Sequence, residues 1–202
     1  MKKVMAVIFL LSFSTLAYPA DFKIIGGLPL SKSTEYMDPG ILPGASLRAQ
    51  YRSGFAAGGG VEFSLTKNLA LEVDALFIQK GTRIRLQEND DPPVYWMVRI
   101  NELSIPVLAK VRLKPGTSPY ILAGGEFAFV LTDEAKSVDY GLVGGIGFRK
   151  QLNKIGMSLE ARYHHGLHDL LPEPIYIFLD DVPTYSRSRK MRVLVFMLGF
   201  SI

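Results

Sequence analysis

The chain has 202 residues, 48% of them hydrophobic, with no cysteine and a formal net charge of +4. Length suits one domain, and the missing cysteines exclude a disulfide framework and thiolate chemistry. Two of the positive charges, Lys2 and Lys3, fall in a segment expected to be removed, so the balance supports no nucleic-acid partner.

The chain opens MKKVMAVIFLLSFSTLAYPA. A basic start, an apolar run from Val4 to Leu11 and small residues beyond it predict a secretory signal peptide over residues 1–20, cleaved after Ala17 or after Ala20. No later apolar run reaches the roughly 18 residues of a membrane helix. Residues 21–202 are expected to form one barrel domain.

Eight alternating segments follow. Phe22–Leu30 is the first, then a polar, proline-containing stretch to about residue 52. Gly54–Leu65 and Leu69–Leu86 are separated only by Thr66-Lys67-Asn68. Tyr95–Leu113, Pro119–Leu131, Asp139–Phe148 and Ile155–Leu167 come next, and a second long stretch occupies about residues 169–188. Arg189–Ile202 ends the chain. Period-two alternation predicts strands with opposed faces. Connections that run long, short, long, short predict an all-β, eight-stranded, antiparallel up-and-down barrel with both termini at the short-turn rim.

Parity divides each strand. Leu71, Val73 and Phe77 oppose Glu72 and Asp74, and Leu103, Ile105 and Val107 oppose Glu102, Ser104 and Lys110. A soluble barrel would turn the apolar face inward. Here the polar face carries glycines and nearly balanced charge: Glu62, Glu72, Asp74, Glu102, Glu126 and Glu160 against Lys23, Lys80, Lys110, Arg112, Arg149 and Arg162. Such a face suits a narrow interior plugged by paired ions. The aliphatic face then meets lipid, with Leu194, Phe196, Leu198, Phe200 and Ile202 as its closing strand. Tyr36, Tyr51, Tyr95, Trp96, Tyr120, Tyr163 and Tyr185 are candidates for interfacial girdles or loops.

GFAAGGGVEFSLTKNLALEVDALFIQKG, ELSIPVLAKVRL, PYILAGGEFAFVL, DYGLVGGIGF, SLEARYHHGLHDL and the opening FKIIGGLPLS resemble the PorT-like outer-membrane β-barrel family. The resemblance spans essentially the mature chain and implies export to the bacterial outer membrane and an eight-stranded barrel. One member of that family is tied to a secretion apparatus. The opening strand departs from the pattern at Pro29 and is expected to end at Leu30. Barrels like this one often end on an aromatic residue read by the assembly machinery; here Phe200 is third from the end.

Other motifs weigh against chemistry. Gly26–Ser33 looks like a P-loop but has Ser31 where its second glycine belongs and no helix after it. The clusters at Gly58–Gly60 and Gly144–Gly147 likewise lack a helix. His164 and His168 share a face about 13 Å apart, too far to share a metal. Glu160, Arg162 and His164 lack a serine or cysteine placed as nucleophile. The reading is therefore no enzyme, no cofactor and no metal. The expected partners are outer-membrane lipid, the barrel-assembly machinery during biogenesis, and a protein partner at the extracellular loops, where Asp180, Asp181, Tyr185, Arg187 and Arg189 stand out. An outer-membrane lipid-modifying enzyme and an accessory component of a secretion apparatus are the alternatives.

Overall fold

An alternating segment exposes a row of backbone N–H and C=O groups on each edge, and each must find a partner. In the computed structural model the segments satisfy one another in a closed antiparallel ring. The structure describes residues 20–37, 45–88, 92–113, 118–132, 138–168, 177–179, 182–184 and 186–202. The expected signal peptide up to residue 19, with the Ala17 cleavage site, lies outside them.

The strands are β1 (Ala20–Met37), β2 (Ala45–Gln50), β3 (Arg52–Ser53), β4 (Ala56–Ser64), β5 (Leu69–Glu88), β6 (Val94–Arg112), β7 (Ser118–Val130), β8 (Val138–Leu152), β9 (Ile155–Gly166), β10 (Ile177–Leu179), β11 (Val182–Thr184) and β12 (Ser186–Ser201). β2, β3 and β4 follow one another along a single stave, so the ring has eight staves. β12 pairs with β1 from Lys23↔Ser201 to Met37↔Ser186 and closes it. Backbone bonds between Phe22 and Ile202 extend the seam to the end of the chain. β10 and β11 form a separate small hairpin.

The stagger of the ring can be read from its registers. Phe22 pairs with Val61, then Val73, Val107, Gly125, Leu142, His165, Arg192 and finally Lys32. One circuit thus climbs from Phe22 to Lys32. With strands about 4.8 Å apart and about 3.3 Å rise per residue, the tilt is about 40° and the backbone lies about 8 Å from the axis. An interior that narrow is filled by side chains.

Two expectations about length need correction. β1 does not stop near Leu30 but runs through Pro29 to Met37, and the stretch read as loop to residue 52 contains β2. The region 169–188 likewise contains β10, β11 and the start of β12. Pro29 is tolerated because its missing N–H falls where the neighbouring stave breaks. Gly54 N donates to Pro29 O at 3.0 Å, and residues 51–55 there face only residues 79–82 of β5. That extra residue is a bulge against β5, whereas the register with β1 runs on unchanged from Gly27↔Ala56 to Leu30↔Ser53, so Pro29 lies beside the interruption and not within a bulge. At the opposite rim Asn153 takes φ 57° in the two-residue turn between β8 and β9. That rim holds the short turns and the described termini, and the other holds the long connections.

Candidate functional site

The alternation places the polar set inside. Glu62, Glu72, Asp74, Glu102, Glu126, Glu160, Lys80, Lys110 and Arg162 are buried, as is Lys23. Arg112 and Arg149 are slightly exposed near the short-turn rim. They fall into two sets, one above the other.

The lower set is organised by Arg162, whose side chain is 0% exposed. It projects from β9, and its planar fork reaches three carboxylates: Nε donates to Glu160 Oε2 at 2.6 Å, Nη1 to Asp74 Oδ2 at 2.6 Å, and Nη2 to Glu72 Oε1 at 2.5 Å. Lys23 enters from β1 as a point charge against Glu72, with Asp74 at 3.5 Å and Glu160 at 3.8 Å. Lys110 pairs with Glu62 at 2.6 Å and with Glu72, and its ammonium lies 4.4 Å from the centre of the Tyr120 ring. The Tyr120 hydroxyl donates to Glu160 Oε1 at 2.6 Å. Arg112 binds Glu62, and Arg149 binds Asp21 at 2.8 Å and Glu62 at 3.2 Å. Asp21, Glu62, Glu72, Asp74 and Glu160 thereby meet Lys23, Lys110, Arg112, Arg149 and Arg162. The charges match one for one.

The upper set is smaller and richer in acid. Lys80 Nζ lies 2.6 Å from Glu102 Oε2 and 2.9 Å from Asp139 Oδ2. Glu126 Oε2 accepts the Ser104 hydroxyl at 2.9 Å and lies 2.7 Å from His164 Nδ1. Among the described residues no ion pair joins the two sets. Apolar side chains pack beside and between them, chiefly Ile25, Leu76, Ile78, Val193, Val195 and Met197, with Leu108, Leu122 and Val143 across the lumen.

Glycine makes this density feasible. A Cβ on Gly60 would lie 1.9 Å from Asp74 Oδ1, and one on Gly147 would lie 2.4 Å from the Tyr120 ring. Those glycines are seats for the side chains opposite, not nucleotide loops. Near the short-turn rim the space among Asp21, Lys23, Glu62, Lys110 and Arg149 is about 10 Å³, room for one water at most.

Asp139 and Asp21 also belong to this interior, beyond the charged residues assigned to it from the sequence, and Ser104, Ser201 and Tyr120 line it with them. Asp139, at the start of the segment expected over Asp139–Phe148, shares inward parity with Gly141 and Val143. Tyr120 is a correction: it is an interior residue, 2% exposed, and not part of a girdle or loop. Tyr51, Tyr95 and Trp96 are exposed toward the long-loop rim, and Tyr163 on the outer wall. His165 is half-buried on the outward parity of β9, and His168 stacks on Tyr140 at 5.3 Å. The outward set of β12 is exposed, with Phe196 at 50% and Ile202 at 84%, and Leu194 half-buried. Asp180, Asp181 and Tyr185 lie outside the described residues; Arg187 and Arg189 are described only as backbone within β12.

Among solved structures the chain is similar to outer membrane protein OprG from Pseudomonas aeruginosa, at 16% identity and a TM-score of 0.51, covering 91% of this chain and 95% of that one. It is also similar to outer membrane protein AlkL, solved in DMPC bilayers, at 13% identity and a TM-score of 0.45, covering 92% and 91%. No curated protein matches the chain. The likeness to OprG shows the fold. Residues 22–171 match the outer membrane protein beta-barrel domain, so the chain belongs to that family and is an eight-stranded β-barrel of the bacterial outer membrane.

Proposed function

We propose that this barrel is closed to solutes by its own interior charges, is not an enzyme, and acts structurally or through partners at its extracellular rim. The observation that carries the closed interior is Arg162, fully buried and bonded to carboxylates from β5 and β9 at once. An ion inside so narrow a ring costs several kcal/mol if left unpaired. The paired set therefore resists the rearrangement that a water-filled passage would require. The absence of a catalytic role is supported by the Ser104–Glu126–His164 grouping. Ser104 donates to the Glu126 carboxylate and is 0% exposed, with Glu126 and His164 also buried, so its hydroxyl is packed into the lumen away from any substrate.

Single-channel recording on the purified barrel in a planar bilayer tests the plug. No stable large conductance is expected at either polarity; a steady porin-like current overturns the reading. The PorT-like strand signatures support an accessory role beside a secretion apparatus as the second reading. A deletion strain with an unchanged profile of secreted proteins would remove it.

A further inference from the structure

Lys32 stands ten residues above Phe22 on β1. At a tilt of about 40° those residues gain about 25 Å of height, the full height of the apolar band on such a barrel. At and above that level the outer face of five neighbouring staves turns basic. Lys32 faces Arg192 directly across the β1–β12 ladder, and Arg48 faces Arg85 across β2–β5. Like charges set opposite each other destabilise a sheet, so a wall built this way is completed by an anion.

The tightest gathering surrounds Gly81. Arg99 is its cross-strand partner on β6, and Arg83 follows two residues on along β5. Nη1 of Arg52 lies 2.9 Å from where a Gly81 Cβ would stand, so the guanidinium occupies the room that the glycine leaves. That Nη1, like Nε of Arg85, is buried without a hydrogen-bond partner among the described residues. Among the described residues none of these cations makes an ion pair; Arg83 lies 5.8 Å from the Tyr95 ring and Lys32 4.8 Å from the Tyr51 ring.

We propose that Arg52, Arg83 and Arg99 hold a phosphate of a phosphorylated glycolipid in the outer leaflet. Guanidinium forks match phosphate oxygens two at a time. Immediately below them, Phe55 stacks on Phe77 at 5.4 Å, and Phe77 pairs across the sheet with the exposed Leu103. That apolar seat suits acyl chains, which a free phosphate lacks. A head group at the cation level and chains on the band beneath it would engage both at once.

The test uses the full-length barrel in detergent with defined probes, read by native mass spectrometry: bis-phosphorylated lipid A, its dephosphorylated form, and inorganic phosphate as competitor. The wild type should retain the phosphorylated glycolipid at least tenfold better than the dephosphorylated one. Arg52→Gln/Arg83→Gln/Arg99→Gln should lose that preference, while Lys150→Gln/Lys154→Gln at the other rim should keep it. Gel mobility before and after boiling shows whether each variant is a folded barrel. If the triple variant misfolds, Arg99→Gln alone, at an exposed position, should still weaken retention severalfold. Equal retention of both glycolipids, or retention unchanged in folded variants, overturns the proposal. Displacement by millimolar inorganic phosphate alone overturns its lipid source.

Discussion

The two faces of β12 share a backbone and live in different solvents. Leu194, Phe196, Leu198, Phe200 and Ile202 project outward, all but the half-buried Leu194 exposed. Met191, Val193, Val195, Met197, Gly199 and Ser201 project inward and shrink toward the short-turn rim, where the lower charge set needs room. The outer face loses nothing by exposing large side chains, because hydrocarbon is as apolar as they are. The inner face is limited by volume and by unpaired charge. A substitution should therefore be judged by which solvent it meets, and the same chemical change should have opposite consequences on the two faces.

The largest effect should come from the inner face. Arg162→Ala leaves Glu72, Asp74 and Glu160 with the neighbouring lysines as their only cations, and removing one partner of a buried ion set costs about 3–5 kcal/mol. Reversible urea unfolding in lipid vesicles, followed by the fluorescence of Trp96, the single tryptophan, measures it. A loss below about 1 kcal/mol, the worth of an exposed pair, would mean that the lumen is wet. On the outer face Phe196 pairs with Leu28, roughly midway up the apolar band. Phe196→Arg should cost about 2–4 kcal/mol, as a cation near the bilayer midplane does. Little change in folding free energy there would place that face in water and reverse the assignment of inside and outside.

This contrast was legible in sequence to an uneven degree. Parity alone sorted Glu72 from Val73 and Lys110 from Val111, because a strand offers each residue one of two faces. Which carboxylate meets which cation was not legible, since Arg162 finds Asp74 and Glu72 across the lumen on β5, a stave remote in sequence. That pairing depends on the stagger of the whole ring. Strand ends were also hidden. Proline and polar residues around Pro29 and Lys32 signal a loop, yet above the apolar band a strand needs no aliphatic face to keep its ladder. The interruption opposite Pro29 is a property of the neighbouring stave, and no local pattern in β1 announces it.

The smallest effects make the sharpest comparison, because they apply one identical change to each face. Gly147 faces inward beneath the Tyr120 ring, and an added methyl would lie 2.4 Å from it. Gly147→Ala must push that ring off the Glu160 carboxylate, an overpacking expected to cost about 1–3 kcal/mol. Gly26 on β1 faces outward, and no atom lies within 4 Å of the position its Cβ would take. Its φ is not in the left-handed region, so alanine adopts the same backbone without strain. Gly26→Ala removes conformational freedom from the unfolded chain and should stabilise the barrel by about 0.4–1 kcal/mol. Both variants are read in the same vesicle unfolding assay, and the prediction is a difference in sign. If Gly26→Ala destabilises as Gly147→Ala does, something packs on the outer wall at β1, and lipid is not the only solvent that face meets.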